Sequence, residues 1–314
     1  MRKQKHSQSK RACLSEKFCK LSAKLLRKGF SEVKKTGCLD EKLAELSGFI
    51  LTKGRRGVAV AFSGGVDSST LAALCYSILG KKAVAVTAKS PTYTPEGLQE
   101  AEAVAKHIGI AHYIVETDEM LDENFSRNPE NRCYYCKKAL LKRLKETASK
   151  LGCETVFEGT NYSDLATHRP GYLAVKETQQ VYSPWAETRF TKEEIRYVAR
   201  KLGLPNAVKP ANACLASRIP YHEKITPERL ERISKAERQI RALTGITQVR
   251  VRDHNGIARI EVEKTQRERF FNIEVLDQVA RELKALGFTF VTLDVEGYKQ
   301  GSMLLTLNEK AENE

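Results

Sequence analysis

The run Val58-Ala59-Val60-Ala61-Phe62-Ser63-Gly64-Gly65-Val66-Asp67-Ser68-Ser69 decides the fold of this chain. Five consecutive apolar residues without alternation are the pattern of a strand buried on both faces. A glycine-rich turn follows at once, and helical spacing resumes from Ser68 to Leu79. A second buried-strand run, Ala83 to Ala88, completes a βαβ unit. Downstream the pattern repeats, with a helix near Pro95–Ile108, a strand at Tyr113–Val115, a helix near Lys137–Lys150 and a strand at Thr155–Phe157. Upstream, apolar residues from Leu39 to Thr52 fall at helical spacing. Alternation at these lengths predicts an α/β fold, a doubly wound parallel sheet that takes ligands at the carboxyl ends of its strands.

Beyond Pro210 the character changes. Pro227 sits where a helix starts, and a charged helix runs from there to about Leu243. Strand runs Thr247–Arg252 and Ile257–Val262 flank Asp253-His254-Asn255-Gly256, whose Asn-Gly marks a hairpin. A helix near Val275–Leu286 and a strand at Phe288–Leu293 complete a smaller α+β domain. The expected division is a basic extension (1–38), a nucleotide domain (39–210), the α+β domain (211–305) and a tail (306–314).

The 314 residues are 41% apolar and 29% charged, a composition that supports a packed core and excludes disorder throughout. No apolar run reaches the length of a membrane span, and the basic start is not followed by an apolar secretory core, so a cytoplasmic protein is expected. Eight cysteines are too sparse for a disulfide scaffold. The formal charge of +14 points toward nucleic acid until its distribution is read: residues 1–37 hold 12 Lys or Arg and 2 Glu, leaving only +4 for the rest. Within that extension Leu14, Phe18, Leu21 and Leu25 recur at helical spacing, which predicts a short basic amphipathic helix.

Between a strand and its helix, the Ser63–Ser69 loop offers open backbone N–H groups and the positive helix end to phosphate oxygens. Gly64 and Gly65 let the backbone approach closely; Ser63, Ser68 and Ser69 add hydroxyl donors, and Asp67 a carboxylate suited to Mg²⁺-bound pyrophosphate. The loop is neither a Walker loop nor a dinucleotide fingerprint. It resembles the pyrophosphate loop of the N-type ATP pyrophosphatases, which cleave ATP between the α and β phosphates and hand AMP to an acceptor oxygen. That resemblance puts Thr87 and Lys89, at the end of the second strand, beside adenosine, with Gly159 and Thr160 on the second rim.

Cys133-Tyr134-Tyr135-Cys136 brings two thiols within reach of one metal, a spacing shared by zinc sites, redox disulfides and iron–sulfur clusters. Cys214 is a third candidate, in Ala213-Cys214-Leu215-Ala216-Ser217-Arg218-Ile219-Pro220-Tyr221. Arg250 and Arg252 alternate along a strand and so share a face, an arrangement suited to a phosphate or to a solvated sheet surface.

These segments, with Gly159-Thr160-Asn161, Arg169-Pro170-Gly171 and Asp294-Val295-Glu296-Gly297-Tyr298, occur in the same order in the LarE-type family of ATP-dependent sulfur transferases, which the chain resembles over roughly residues 39–305. Those enzymes build the nickel-pincer nucleotide cofactor of lactate racemase. The resemblance implies ATP and Mg²⁺ as cofactors and a small nucleotide, pyridinium-3,5-biscarboxylic acid mononucleotide, as substrate, its two carboxylates adenylated and then thiolated. It implies a three-cysteine version in which Cys133, Cys136 and Cys214 hold a 4Fe–4S cluster that carries transferable sulfide. A single-cysteine version instead sacrifices the sulfur of the residue matching Cys214, which is left as dehydroalanine. Arg250 and Arg252 resemble the substrate-phosphate anchors, with Arg218 and Glu261 at the same site.

Sulfide or a sulfur donor protein would recharge such a cluster, and a homo-oligomer is compatible with the sequence. A competing expectation is tRNA thiolation, which uses a similar loop and cysteines and for which the basic extension suits RNA. Because every motif lies beyond residue 39, deletion of residues 1–37 is expected to leave turnover of a small substrate nearly unchanged and to weaken salt-sensitive RNA binding. A folded but inactive truncation in a steady-state assay would place the extension in the site.

Overall fold

The computed structural model describes residues 37–302 except 167–168, 211–212 and 300. The amphipathic helix expected over Leu14–Leu25 and the tail 306–314 lie outside the described residues. In chain order the main elements are α1 (Gly37–Lys53), β1 (Val58–Ala61), α2 (Val66–Leu79), β2 (Ala83–Lys89), α3 (Pro95–Ile108), β3 (Ala111–Glu116), α4 (Arg132–Lys150), β4 (Thr155–Phe157), α5 (Pro170–Glu177), β5 (Val181–Tyr182) and α6 (Lys192–Lys201). There follow α7 (Pro227–Thr244), β6 (Val249–His254), β7 (Ile257–Val262), α8 (Ile273–Ala285) and β8 (Phe290–Leu293).

Two compact units emerge. Of the described residues, the first holds 37–90 together with 95–117 and 133–210; the second holds 91–94, 118–132 and 213–302. In the first, five strands pair in the order β3-β2-β1-β4-β5, parallel throughout. The pleat of β1 sends Val58, Val60 and Phe62 into a core with α1, α2, α3 and α6, where Leu46, Ile50, Leu71, Ile108 and Ile195 are buried. Ala59 faces the other side, where Leu141 and Leu144 of α4 and Val175 of α5 close a second core. This is the expected doubly wound α/β sheet.

Its order matters for the site. From β1 the chain moves to β2 on one side, while β4 flanks β1 on the other, so the crevice at the carboxyl ends of β1 and β4 is the topological switch point. Two local features depart from the sequence expectations. Helix α4 begins at Arg132, so Cys133 and Cys136 occupy its first turn instead of preceding it. The reason is tertiary: Gly171 of α5 packs on that turn so closely that an added Cβ would lie 3.2 Å from the Cys133 carbonyl oxygen. The elements α5, β5 and α6, between residues 158 and 210, were not expected; β5 is only two residues long, too short to show a pattern.

In the second unit β6 and β7 form the expected antiparallel hairpin, turning at Asn255 and Gly256 with φ of 48° and 92°, and β8 pairs parallel to β7. Thr226 caps α7, Pro227 opens it and left-handed Gly245 closes it. Val249, Val251, Ile260 and Val262 pack with Ile240, Val279 and Leu283. Residues 91–94 and 118–132, drawn from within the stretch expected to be a single nucleotide domain, join this unit through hydrogen bonds. Leu215 N–H donates to Thr92 O (2.9 Å), and Asn128 Nδ2 to Pro220 O (2.6 Å). No helix among the described residues is long and apolar enough to cross a membrane.

Candidate functional site

The loop after β1 is held from within. Ser63 N–H donates to Ser68 Oγ (3.1 Å), Ser68 Oγ donates to Gly65 O (3.2 Å), and Asn206 Nδ2 donates to both Gly64 O (2.7 Å) and Ser69 Oγ (2.9 Å). Gly64 has φ +71° and lies so near α3 that a Cβ would meet Ala101 Cα at 2.9 Å. Ser68 and Ser69 are therefore buried staples, and Ser63 is the serine of the loop that faces outward. Gly65 is the N-cap of α2 and brings no capping side chain, so the first N–H groups of the helix are left for an anion.

Asp67 opens α2 beneath the loop. Its Oδ2 pairs with Lys192 at the start of α6, and its backbone carbonyl accepts the Trp185 indole N–H (3.1 Å). Oδ1 is buried without a hydrogen-bond partner. Burial raises the Asp67 pKa despite the pull of Lys192. An orphaned, dehydrated carboxylate oxygen beside an anion-binding helix end fits a divalent cation. Lys192 and Asn206 escaped the sequence analysis. Lys192 could have been found from the Thr191–Glu194 capping box that starts α6; Asn206 carries no local signal.

The rims differ from each other. Thr87 is 1% exposed and its hydroxyl is committed: it donates to Phe62 O (2.6 Å) and so accepts from His112 Nε2 (2.7 Å). Lys89 is exposed and pairs with Glu116 (3.2 Å). On the β4 side, Gly159 packs against α2, where a Cβ would lie 3.2 Å from Ser68 N. Next to it Glu158, 2% exposed, gathers Lys137 Nζ (2.7 Å), Thr160 Oγ1 (2.9 Å), Thr160 N–H (3.1 Å) and the Ser183 hydroxyl. Burial works to raise its pKa, but Lys137, Ser183 and Thr160 together hold it below the ordinary value. Glu158 thus ties the nucleotide rim to the α4 turn that carries the two cysteines. The sequence analysis missed it because its partners lie 21 and 25 residues away.

Of the described cysteines, Cys75 and Cys153 are buried and burial raises both thiols, whereas Cys133, Cys136 and Cys214 are accessible. Those three are the expected ligands. Among the described residues, however, no three His, Cys, Asp or Glu side chains are gathered into a group that could hold a metal ion.

In the second unit Cys214 caps a 3₁₀ turn, Leu215–Arg218. The buried Arg218 guanidinium is spent on that turn: Nη1 donates to Ala213 O (2.8 Å) and Cys214 O (3.0 Å), and Nε to Glu237 (2.9 Å). It clamps the turn that carries the thiol. Arg252 donates to Ser217 O (2.8 Å) and pairs with fully buried Glu261 (2.7 Å), which also pairs with Arg259 (3.0 Å). Arg250 is different. Only 7% exposed, it bonds its neighbour's carbonyl, Val249 O (2.9 Å), lies over the Tyr298 ring (5.5 Å), and has no ion-pair partner among the described residues. Burial and then the nearby Arg218 lower its pKa. A dehydrated cation without a counter-ion is costly, so this position calls for an anionic ligand.

Comparison with known proteins agrees with this chemistry. A family model described as NAD synthase matches residues 39–147. An uncharacterized protein of Synechocystis is 46% identical over 244 residues, covering 78% of this chain and 90% of the relative. The pyridinium-3,5-bisthiocarboxylic acid mononucleotide synthase of Lactiplantibacillus plantarum is 36% identical over 253 residues, 80% of this chain and 90% of that enzyme. A tRNA-specific 2-thiouridylase of Rickettsia canadensis is 28% identical, over 49% of this chain and 51% of its own length.

Glu158→Gln preserves shape and removes the buried charge. It is expected to cost about 1–3 kcal/mol at neutral pH. A depressed carboxylate contributes stability that is present above its ordinary pKa and lost as pH falls through the depressed value. Urea unfolding of both proteins should therefore show the gap closing as pH falls below the ordinary carboxylate range; a gap independent of pH would exclude the charge as its source.

Proposed function

The chain belongs to the family of pyridinium-3,5-bisthiocarboxylic acid mononucleotide synthases, ATP-using sulfur-transferring enzymes, and from that premise we propose that it thiolates both carboxylates of pyridinium-3,5-biscarboxylic acid mononucleotide. The observation that carries this reading is Arg250, a buried guanidinium without a carboxylate, suited to the phosphate of a mononucleotide.

Adenylation comes first. A substrate carboxylate oxygen attacks the α-phosphorus of ATP, the bond to the β-phosphate oxygen breaks, and pyrophosphate leaves. The N–H groups of the α2 start and the Ser63 hydroxyl receive that pyrophosphate. Asp67 would hold Mg²⁺ through Oδ1, where the ion would neutralise pyrophosphate charge, and Lys192 beside it is placed to pair with a phosphate oxygen. Gly159 and Thr160 line the nucleotide, held by Glu158. Sulfur then adds to the acyl carbon, and AMP departs with the former carboxylate oxygen.

Cys133, Cys136 and Cys214 form the donor set in this reading, and their chemistry, three thiols that burial leaves accessible, fits a 4Fe–4S cluster. These three residues would hold the cluster, which would supply transferable sulfide and be recharged by sulfide or a donor protein. The sacrificial alternative rests on the exposure of Cys214. The tRNA reading rests on relatives that match about half the chain.

Turnover with the pyridinium substrate is expected to release AMP and pyrophosphate; ADP and phosphate would reject the mechanism. Asp67→Asn should abolish release without lowering the melting temperature, because a carboxyl whose pKa burial raises costs stability once ionised. Iron analysis beside mass spectrometry of the Cys214 peptide separates the sulfur sources. About four irons per chain with Cys214 intact after turnover is the expected result. Dehydroalanine at position 214 in active, iron-free protein would establish the sacrificial route.

A further inference from the structure

The pleat of β6 puts Arg250, Arg252 and His254 at alternate positions on one face of the second sheet, opposite Glu261, Arg259 and Ile257 of β7. Among the described residues, two side chains of β6 on this face carry a buried nitrogen without a hydrogen-bond partner, Nε of Arg252, in a residue 5% exposed, and Nε2 of half-buried His254; Nε of Arg259 on β7 is a third. Leaving such a group unpaired is costly, and native proteins do so rarely.

The charged partners described around them are already engaged. The other nitrogens of Arg252 already serve Ser217 O, Glu261 and Ser302. Both oxygens of Glu261 are engaged, by Arg252, Arg259 and Ser302. The charged groups around His254 are Arg259, Glu223, Arg252 and Asp253. Glu223 pairs with Arg229, and Asp253 with Arg229 and Arg232. Burial first, then Arg259, keeps His254 below its ordinary pKa and favours the neutral ring, which carries one N–H. With that proton on Nε2, the guanidinium N–H and the imidazole N–H, two residues apart on one face, are donors for an oxyanion.

We infer that Arg252 Nε and His254 Nε2 form a carboxylate subsite, separate from the phosphate anchor at Arg250, that holds the ring carboxylate not undergoing activation. The inference rests on the substrate proposed above. That substrate is processed twice, so the group that stands idle is the second carboxylate in the first round and the new thiocarboxylate in the second, each an anion that the same two N–H groups can hold while the other group reacts. From Arg250 to His254 the strand spans four residues, roughly 13 Å, the length scale of a mononucleotide. Holding the idle group makes the site selective, since a ligand without a ring carboxylate leaves both nitrogens unpaired.

Phosphorus NMR titration of the full-length protein tests this with two probes: pyridinium-3,5-biscarboxylic acid mononucleotide, and ribose 5-phosphate, which can use the phosphate anchor alone. His254→Ala is expected to weaken the mononucleotide about tenfold and to leave ribose 5-phosphate within about twofold. His254→Gln, which retains an N–H donor, should recover much of the loss. Equal losses for both probes, or no loss in His254→Ala, would overturn the subsite, as would a wild-type protein that binds the mononucleotide no more tightly than ribose 5-phosphate. Wild-type binding of neither probe would overturn the substrate reading, and the subsite with it.

Discussion

A charge removed from water must be answered by another group, and in this protein that requirement separates scaffold from site. In the first unit Glu158 is fully answered, by Lys137, Ser183 and Thr160, and it fixes the rim of the nucleotide crevice to the cysteine-bearing turn of α4. In the second, Glu237 answers Arg218 and Glu261 answers Arg252 and Arg259. At the proposed site, Asp67 Oδ1 and Arg250 are not answered in this way among the described residues. A carboxylate oxygen without a donor and a guanidinium without an acid are the groups on which the proposed cation and phosphate sites rest.

Backbone geometry imposes the second constraint. The phosphate loop must pass close to α3 and to the β4 rim at once, and it does so at Gly64 and Gly159, where a side chain would collide with Ala101 and Ser68. The serines that look like ligands in sequence divide accordingly: Ser63 faces out, while Ser68 and Ser69 brace the loop from behind with Asn206. A compact loop thus spends most of its polar groups on its own shape, and its backbone N–H groups remain for the ligand.

The apolar run Val58–Phe62, the glycine pair after it and the alternation that follows were sufficient for the α/β sheet, because a strand buried on both faces cannot hide its composition. The hairpin at Asn255-Gly256 was equally legible, since the turn requires two residues with positive φ. Cys133, Cys136 and Cys214 were singled out by spacing and context, and they are the described cysteines that burial leaves accessible.

What only the tertiary structure decided is the assignment of roles among residues of the same type. Arg218, Arg250 and Arg252 read alike in sequence. In the folded protein the first clamps the Cys214 turn, the third is neutralised by Glu261, and the second has no ion-pair partner among the described residues. Likewise Thr87 was expected at the adenosine rim but is locked between Phe62 and His112, while Glu158 and Lys192 carried no expectation. The sequence by itself determined the sheet, the loop and the chemical vocabulary, since these follow from local periodicity and from residue type. It could not determine which charge goes unanswered, because that depends on partners brought together from 9 to 125 positions away, and only burial makes the missing partner matter.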